Sequence, residues 1–328
     1  MAEFGGALRS RLAALVALVA ALTACGGGGS GPAPGNTSAP TNPPAPNVVP
    51  SGAIYLGAFV NTSGVTPPPV TDLTALEAQI GRKLALSLHY NGFYGTFPGA
   101  AEAADAAAGR IPIESWNCQY PNSAVAAGNQ DTTIRQRADA LKAFGKPIFL
   151  RYMWEMNKPS SANFRTSCYS ATTDDPNGVF SPTQFIAAWD HIRAIFAQEG
   201  ATNVIWVWCP TAESDPSGYY PGAAEVDWVG FDTYDATNTT FAATFQTAYG
   251  YFSNLGKPLL IDETGALAAN QPAFFSGAAS ALETQYPLIK GLVYFDASGS
   301  ANAWALSTSG LAAFATLVAD PYFSAMGP

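Results

Sequence analysis

Eight short apolar runs punctuate the chain: AIYLGAF (53–59), LALSLHY (84–90), IPIESWN (111–117), PIFLRYMWE (147–155), NVIWVWC (203–209), DWVGFDTY (227–234), PLLIDE (258–263) and GLVYFD (291–296). Near-continuous Val, Ile, Leu and aromatic residues over so few positions predict strands covered on both faces. Between most of them lie longer, helix-compatible segments, such as DTTIRQRADALKAFG from Asp131 and SPTQFIAAWDHIRAIFAQEG from Ser181. The second opens on a serine cap followed by proline and closes on Gly200, the start and stop signals of a helix. Eight strands with intervening helices in about 280 residues predict a single α/β domain, a (β/α)8 barrel, over 51–328. No GxGxxG follows the first strand, so a dinucleotide-binding fold loses its main support.

Such barrels build their sites at the C-terminal ends of the strands. This chain repeatedly puts polar or aromatic residues there: His89 and Tyr90, Trp116 and Asn117, Glu155 and Asn157, Trp208, Asp232 and Tyr234, Glu263, Asp296.

The first fifty residues follow another pattern. Arg9 and Arg11 precede an apolar stretch, Leu12 to Thr23, that is too short to span a membrane and has the layout of a secretory signal. It ends in LTAC, Leu22 to Cys25, which resembles the bacterial lipobox. The expectation is a lipoprotein signal peptide over 1–24, lipidation at Cys25, and a flexible Gly/Pro-rich tether over 25–50, since an uncharged Gly, Pro, Ser, Thr and Asn sequence cannot build a core. The protein is then an exported, monomeric bacterial lipoprotein at the outer membrane, periplasm or cell surface, touching the membrane only through its anchor.

Net charge is −9, which argues against a nucleic-acid partner, because phosphate binding needs a basic surface. Of the three cysteines after Cys25, Cys118 and Cys168 lie in Ser/Asn-rich loop sequence while Cys209 follows a strand. An export route permits disulfides, so the first two are expected to pair. With two histidines and no CxxC or HExxH spacing, no metal or organic cofactor is expected.

No Ser/His/Asp or Cys/His arrangement stands out, and His191, inside the Ser181 helix, is read as structural. Carboxylates and aromatics remain. Two carboxyl groups among aromatic rings are what glycoside hydrolysis needs, one to protonate the leaving oxygen and one to attack or activate water. Glu155 and Glu263, at the ends of the fourth and seventh strands, fit by position. Glu213, Asp232, Asp235, Asp262 and Asp296 rank behind them, and Asp262 is expected to point away from Glu263 along the strand.

From about Tyr55 to Trp304 the chain resembles glycoside hydrolase family 26, a clan A (β/α)8 family of β-mannanases that also includes mixed-linkage β-glucanases and β-1,3-xylanases. Three blocks in order carry the resemblance: EMN (Glu155 to Asn157), VIWVWCPTAESDPSGYYPGAAEVDWVGFDTY (Val204 to Tyr234) and LLIDETG around Glu263. It implies Glu155 as the acid/base and Glu263 as the nucleophile of a retaining endo-β-glycanase, with Tyr234 beside the nucleophile. Trp154 stands where many members carry His, and Thr211 where the family usually carries Asn, so the polymer does not transfer: β-mannan, mixed-linkage or β-1,3-glucan and xylan remain open. Trp116, Trp154 and Trp208 offer flat faces for sugar rings, and Asn117, Asn157, Asp232, Tyr234 and His89 complete the expected substrate-binding set. Trp189, Trp206 and Trp228 are assigned to packing. Glu155 has to start the cycle protonated, which an aromatic setting and the charge of Glu263 would favour. The alternative is a non-catalytic polysaccharide-binding lipoprotein on the same barrel.

Overall fold

A computed structural model describes residues 44–158, 181–297 and 304–328. Eight parallel strands, β1 (Tyr55–Asn61), β2 (Leu86–Asn91), β3 (Ile111–Trp116), β4 (Ile148–Tyr152), β5 (Val204–Trp208), β6 (Trp228–Asp232), β7 (Leu259–Thr264) and β8 (Ile289–Ala297), close into a barrel in sequence order. Each of the eight apolar runs forms its strand. Around them lie α1 (Val70–Ile80), α2 (Ala100–Ala107), α3 (Asn122–Ala126), α4 (Asp131–Phe144), α5 (Pro182–Glu199), α6 (Phe241–Phe252), α7 (Gln271–Ser276), α8 (Ala278–Thr284) and α9 (Thr308–Val318). In α5 the expected caps are in place: the Ser181 hydroxyl accepts from Gln184 N at 3.4 Å, and Gly200 takes φ 74°. Only glycine adopts that left-handed turn without strain.

Alternation along the strands divides the core in two. Tyr55, Phe59, Leu86, Leu88, Ile113, Phe149, Val207, Leu260 and Val293 fill the barrel interior, whereas Leu56, Val60, Leu150, Val229 and Ile261 meet the helices. The interior is tight where glycine stands: a Cβ on Gly57 would lie 2.4 Å from that of Leu86, and one on Gly291 would lie 2.5 Å from Leu260 Cδ1.

The expected tether stops short of residue 50. Val48 is buried among the interior residues, and Tyr55 donates to its carbonyl at 2.7 Å, so this segment helps plug the barrel floor. The expected signal peptide, Cys25 and most of the expected tether lie outside the described residues, as does Cys168. Cys118 is disulfide-bonded and Cys209 is a free, buried thiol. Among the described residues no helix is long and apolar enough to cross a membrane.

Candidate active site

Strand β4 carries an arginine into the barrel interior, where burying a charge is costly unless partners surround it. Arg151 is fully buried and finds them on every side. Its Nε donates to Ser115 Oγ at 2.7 Å. Nη1 reaches Asp232 Oδ1 at 3.4 Å and Asp262 Oδ2 at 3.6 Å. Nη2 donates to Glu263 Oε1 at 2.5 Å and to the Tyr90 hydroxyl at 3.2 Å. The rings of Tyr90 and Trp154 each lie 5.4 Å from its guanidinium carbon. Burial alone would weaken its proton, but the charges of Asp262, Glu263, Tyr90 and Asp232 hold it well above the usual range.

Above this arginine sits Glu263. Its Oε1 also accepts from Tyr90 at 2.6 Å and its Oε2 from Tyr234 at 2.7 Å, so donors fix both oxygens. Asp262, expected to face away, also points inward. The cause is a bulge: Phe231 pairs with Ile261 but Asp232 pairs with Glu263, so Asp262 is the extra residue and successive side chains share one face. Gly230 makes the room, since a Cβ there would stand 2.7 Å from Asp262 Oδ2. Burial pushes the Asp262 carboxyl up to about 6, opposed by Arg151, and pushes Asp232 well above the usual carboxylate range with the charge of Glu263 adding to it.

After β4 the backbone turns sharply. Met153 and Glu155 adopt φ 53° and 52°, strained for residues with side chains at about 1 kcal/mol or more each. Neighbouring strand ends hold the turn: Met153 N donates to Trp116 O at 3.0 Å and Glu155 N to Cys209 O at 2.7 Å. The turn delivers the Glu155 carboxyl to the cleft. Its oxygens lie 3.1 and 3.2 Å from Lys158 Nζ, a partner the sequence did not suggest.

The cleft, about 730 Å³, is lined by Glu155, Glu263, Glu213, Lys158 and Asn117 and by the rings of Phe59, Tyr90, Trp154, Tyr234, Phe295 and Trp304. Trp304 stacks on Tyr234 with centroids 4.9 Å apart. Of the expected substrate-binding residues, Asn117, Trp154 and Tyr234 therefore reach the cleft.

The other five are corrected. Trp116 is fully buried against Phe93 outside the barrel wall, its indole donating to Phe93 O at 3.1 Å. Trp208 is equally buried, between Tyr220 and Phe252. Asn157 is a brace: Nδ2 donates to Thr211 O at 2.9 Å and Ser214 O at 2.8 Å, and Oδ1 accepts from Thr211 N at 2.9 Å. Asp232 lies beneath the cleft floor beside Arg151. His89 faces outward, its Nε2 2.6 Å from Asp105 of α2. His191 is structural as expected, paired with Asp131 at 2.6 Å. Asp235 caps the turn at Thr237 and Thr239, and Asp296 accepts from Leu306 N at 2.9 Å.

Among the described residues, one set could hold a cation: His89, Glu102 and Glu114 place a ligand atom each within 4.8 Å of one another. The set lies between the barrel wall and α2, apart from the cleft, and has its own partners in Asp105, Gly99 N and Asn91. Protons can balance its charge without an ion. Burial alone would pull the His89 imidazolium down, but the Asp105 hydrogen bond and the charges of Glu114, Asp105 and Glu102 push it up to about 9. Burial pushes Glu114 up to about 8.

Both groups bind their protons more tightly when folded. The stability from Glu114 is complete below its ordinary 4.5 and lost as pH rises through about 8; that from His89 is complete below 6.5 and lost through about 9. Melting temperature is therefore expected to fall by a few degrees between pH 6 and 9, and Glu114→Gln to flatten the lower part of that slope in thermal melts. A melting temperature that rises over this window would contradict the assignment.

The sequence model of glycosyl hydrolase family 26 matches residues 181–314. Endoglucanase H of Acetivibrio thermocellus is 27% identical over 277 residues, covering 79% of this chain and 29% of that protein. Beta-1,3-xylanase TXYA of a Vibrio species is 28% identical over 189 residues, covering 51% and 36%. The chain thus spans about a third of the length of these curated relatives. The structure of the Bacillus subtilis mannanase BCman superposes with a TM-score of 0.59 at 19% identity, over 84% of this chain and 93% of that one, and so shares the barrel. The family match and these relatives show what the chain is similar to: members of glycosyl hydrolase family 26, on a closed barrel with Glu155 in the turn after β4 and Glu263 in β7.

Proposed function

We propose that the protein is a retaining endo-β-glycanase, with Glu155 as acid/base and Glu263 as nucleophile. The observation that carries this reading is that both glutamates line one aromatic cleft, Glu263 gripped at both oxygens by Tyr90, Tyr234 and Arg151. In the first step a Glu263 oxygen attacks the anomeric carbon while Glu155 gives its proton to the glycosidic oxygen, the C–O bond breaks, and the leaving sugar departs as an alcohol. In the second, Glu155 takes a proton from water, whose oxygen displaces Glu263 from the anomeric carbon. The rings of Trp154 and Trp304 supply apolar faces for pyranose rings.

The names of the relatives, an endoglucanase and a β-1,3-xylanase, together with the mannanase fold match, support a β-linked backbone of glucan, xylan or mannan type. Export is part of the proposal: the disulfide at Cys118 supports an oxidising compartment, with Cys168 as its partner and Cys25 as the anchor. Reducing-end release from β-mannan, mixed-linkage glucan, β-1,3-glucan and xylan, followed by proton NMR of the first product, tests the reading. Activity on one of them with the substrate's anomeric configuration retained is expected. Inverted product would end the double-displacement mechanism, and binding without cleavage would favour a polysaccharide-binding protein.

A further inference from the structure

The assignment of Glu155 as the acid/base raises a conflict at its carboxyl. A general acid must carry a proton when substrate arrives, and acids of this class are usually kept protonated by apolar surroundings. Here an ammonium sits 3.1 Å from Oε1 and 3.2 Å from Oε2. The contact is built into the backbone, because Lys158 N donates to Glu155 O at 3.0 Å in the same turn. The cation is held as well as placed: burial would loosen the Lys158 proton, but the charge and hydrogen bond of Glu155, with Glu213 and Asp232 behind, keep it above its usual range.

Among the described residues, the other charged groups of the cleft are either engaged elsewhere or oppose this cation. Arg151 is committed to Glu263 and the two buried aspartates, and Tyr90 and Tyr234 donate to Glu263. Among the described residues, Glu263, Glu213 and Asp232 are carboxyls near the pair, and they act in the opposite sense by discouraging a further negative charge. Lys158 is, among the described residues, a charged group of the cleft whose ammonium contacts both Glu155 oxygens.

We propose that Lys158 is a positioning residue that favours the carboxylate form of Glu155 before substrate binds and thereby sets the upper pH limit of the first chemical step. The inference rests on the acid/base role given to Glu155 above. It accounts for a lysine where an acid needs to keep its proton: the same carboxylate is the base of the second step. The enzyme then works best on the acidic side, where Glu155 can be protonated despite its partner.

Replacing Lys158 by Met is expected to move the alkaline limb of kcat/KM upward by about one pH unit, the lower end of what a neighbouring opposite charge does to a carboxyl. That limb reports the acid of the free enzyme. Lys158→Arg should keep the limb in place. A purely structural lysine would change the height of the profile and leave its limb where it was. The pair can also be followed without turnover, by carbon NMR titration of Glu155 in protein labelled at the glutamate carboxyl carbons. An upward displacement in the Met variant alone supports the proposal. An unmoved Glu155 midpoint, or an active Met variant with an unmoved limb, overturns it. Complete inactivity of wild type on every glycan would instead count against the acid/base assignment, with the NMR result still deciding the pair.

Discussion

With the roles proposed above, Glu263→Ala is expected to abolish turnover of every accepted substrate, whereas Glu155→Ala is expected to spare those with activated leaving groups; this pair of results has the largest expected effect on activity. The asymmetry follows from the two proposed steps. Attack by Glu263 is needed whatever departs, but protonation by Glu155 matters in proportion to the basicity of the leaving oxygen, and general acid catalysis is worth about 10²–10⁴-fold. With polysaccharide both variants should be near inactive. With an aryl glycoside of low leaving-group pKa, Glu155→Ala should form the glycosyl-enzyme readily and then stall. Azide distinguishes the two. In Glu155→Ala it attacks the intermediate without a base and yields a glycosyl azide of the substrate's configuration. In Glu263→Ala it can enter only the vacated nucleophile position and yields the opposite configuration. Because Glu263 is also a partner of buried Arg151, Glu263→Gln, which keeps an acceptor for Tyr90, controls for loss of fold. Rescue that instead pointed to Asp232 or Asp296 would end the assignment.

Much of this was legible in the sequence for a physical reason. A parallel barrel buries both faces of each strand, so its strands announce themselves as apolar runs, and all eight did. The same double burial hides which face a side chain takes. Trp116 and Trp208 follow strand interiors just as site residues do, yet both turn toward the helices, where indoles pack as well as they would against sugar. Alternation gave a hint for the third strand, since Ile111 and Ile113 point inward and put Trp116 on the other side, but no single sequence tells inside from outside. Asp262 failed differently: a bulge breaks the period of two, and nothing in LLIDETG marks it. Lys158 and Tyr90 came into the site through the turn after β4 and the register of β2, which spacing alone does not fix. Arg151 did leave a signal. An arginine ending a buried run in a chain that is 12% charged needed carboxylates nearby.

Those carboxylates make Arg151→Met the most destabilising single change expected in the barrel. Removing one member of a buried ionic cluster strands the others, typically at about 3–5 kcal/mol. Here the stranded groups would be Glu263, Asp232 and Asp262, along with a lost donor to Ser115. Methionine fills most of the volume, so the loss should be electrostatic, and its pH dependence shows whether it is. Asp262 is already raised to about 6 beside Arg151: its share of stability is present below its ordinary 3.8 and lost as pH rises through about 6. Without the guanidinium its carboxyl, like that of Asp232, moves further up, so the folded variant holds more protons than wild type across the neutral range. The gap in stability between the two proteins should therefore narrow as pH falls from about 8 to about 5 and widen in the other direction. Urea melts at both ends of that range read it directly. Asp262→Asn in the Arg151→Met background should recover part of the loss at the higher pH, because it removes a charge that has no remaining cation. A gap independent of pH would mean that Arg151 acts by packing against Tyr90 and Trp154, and that the carboxylates around it are balanced by something else.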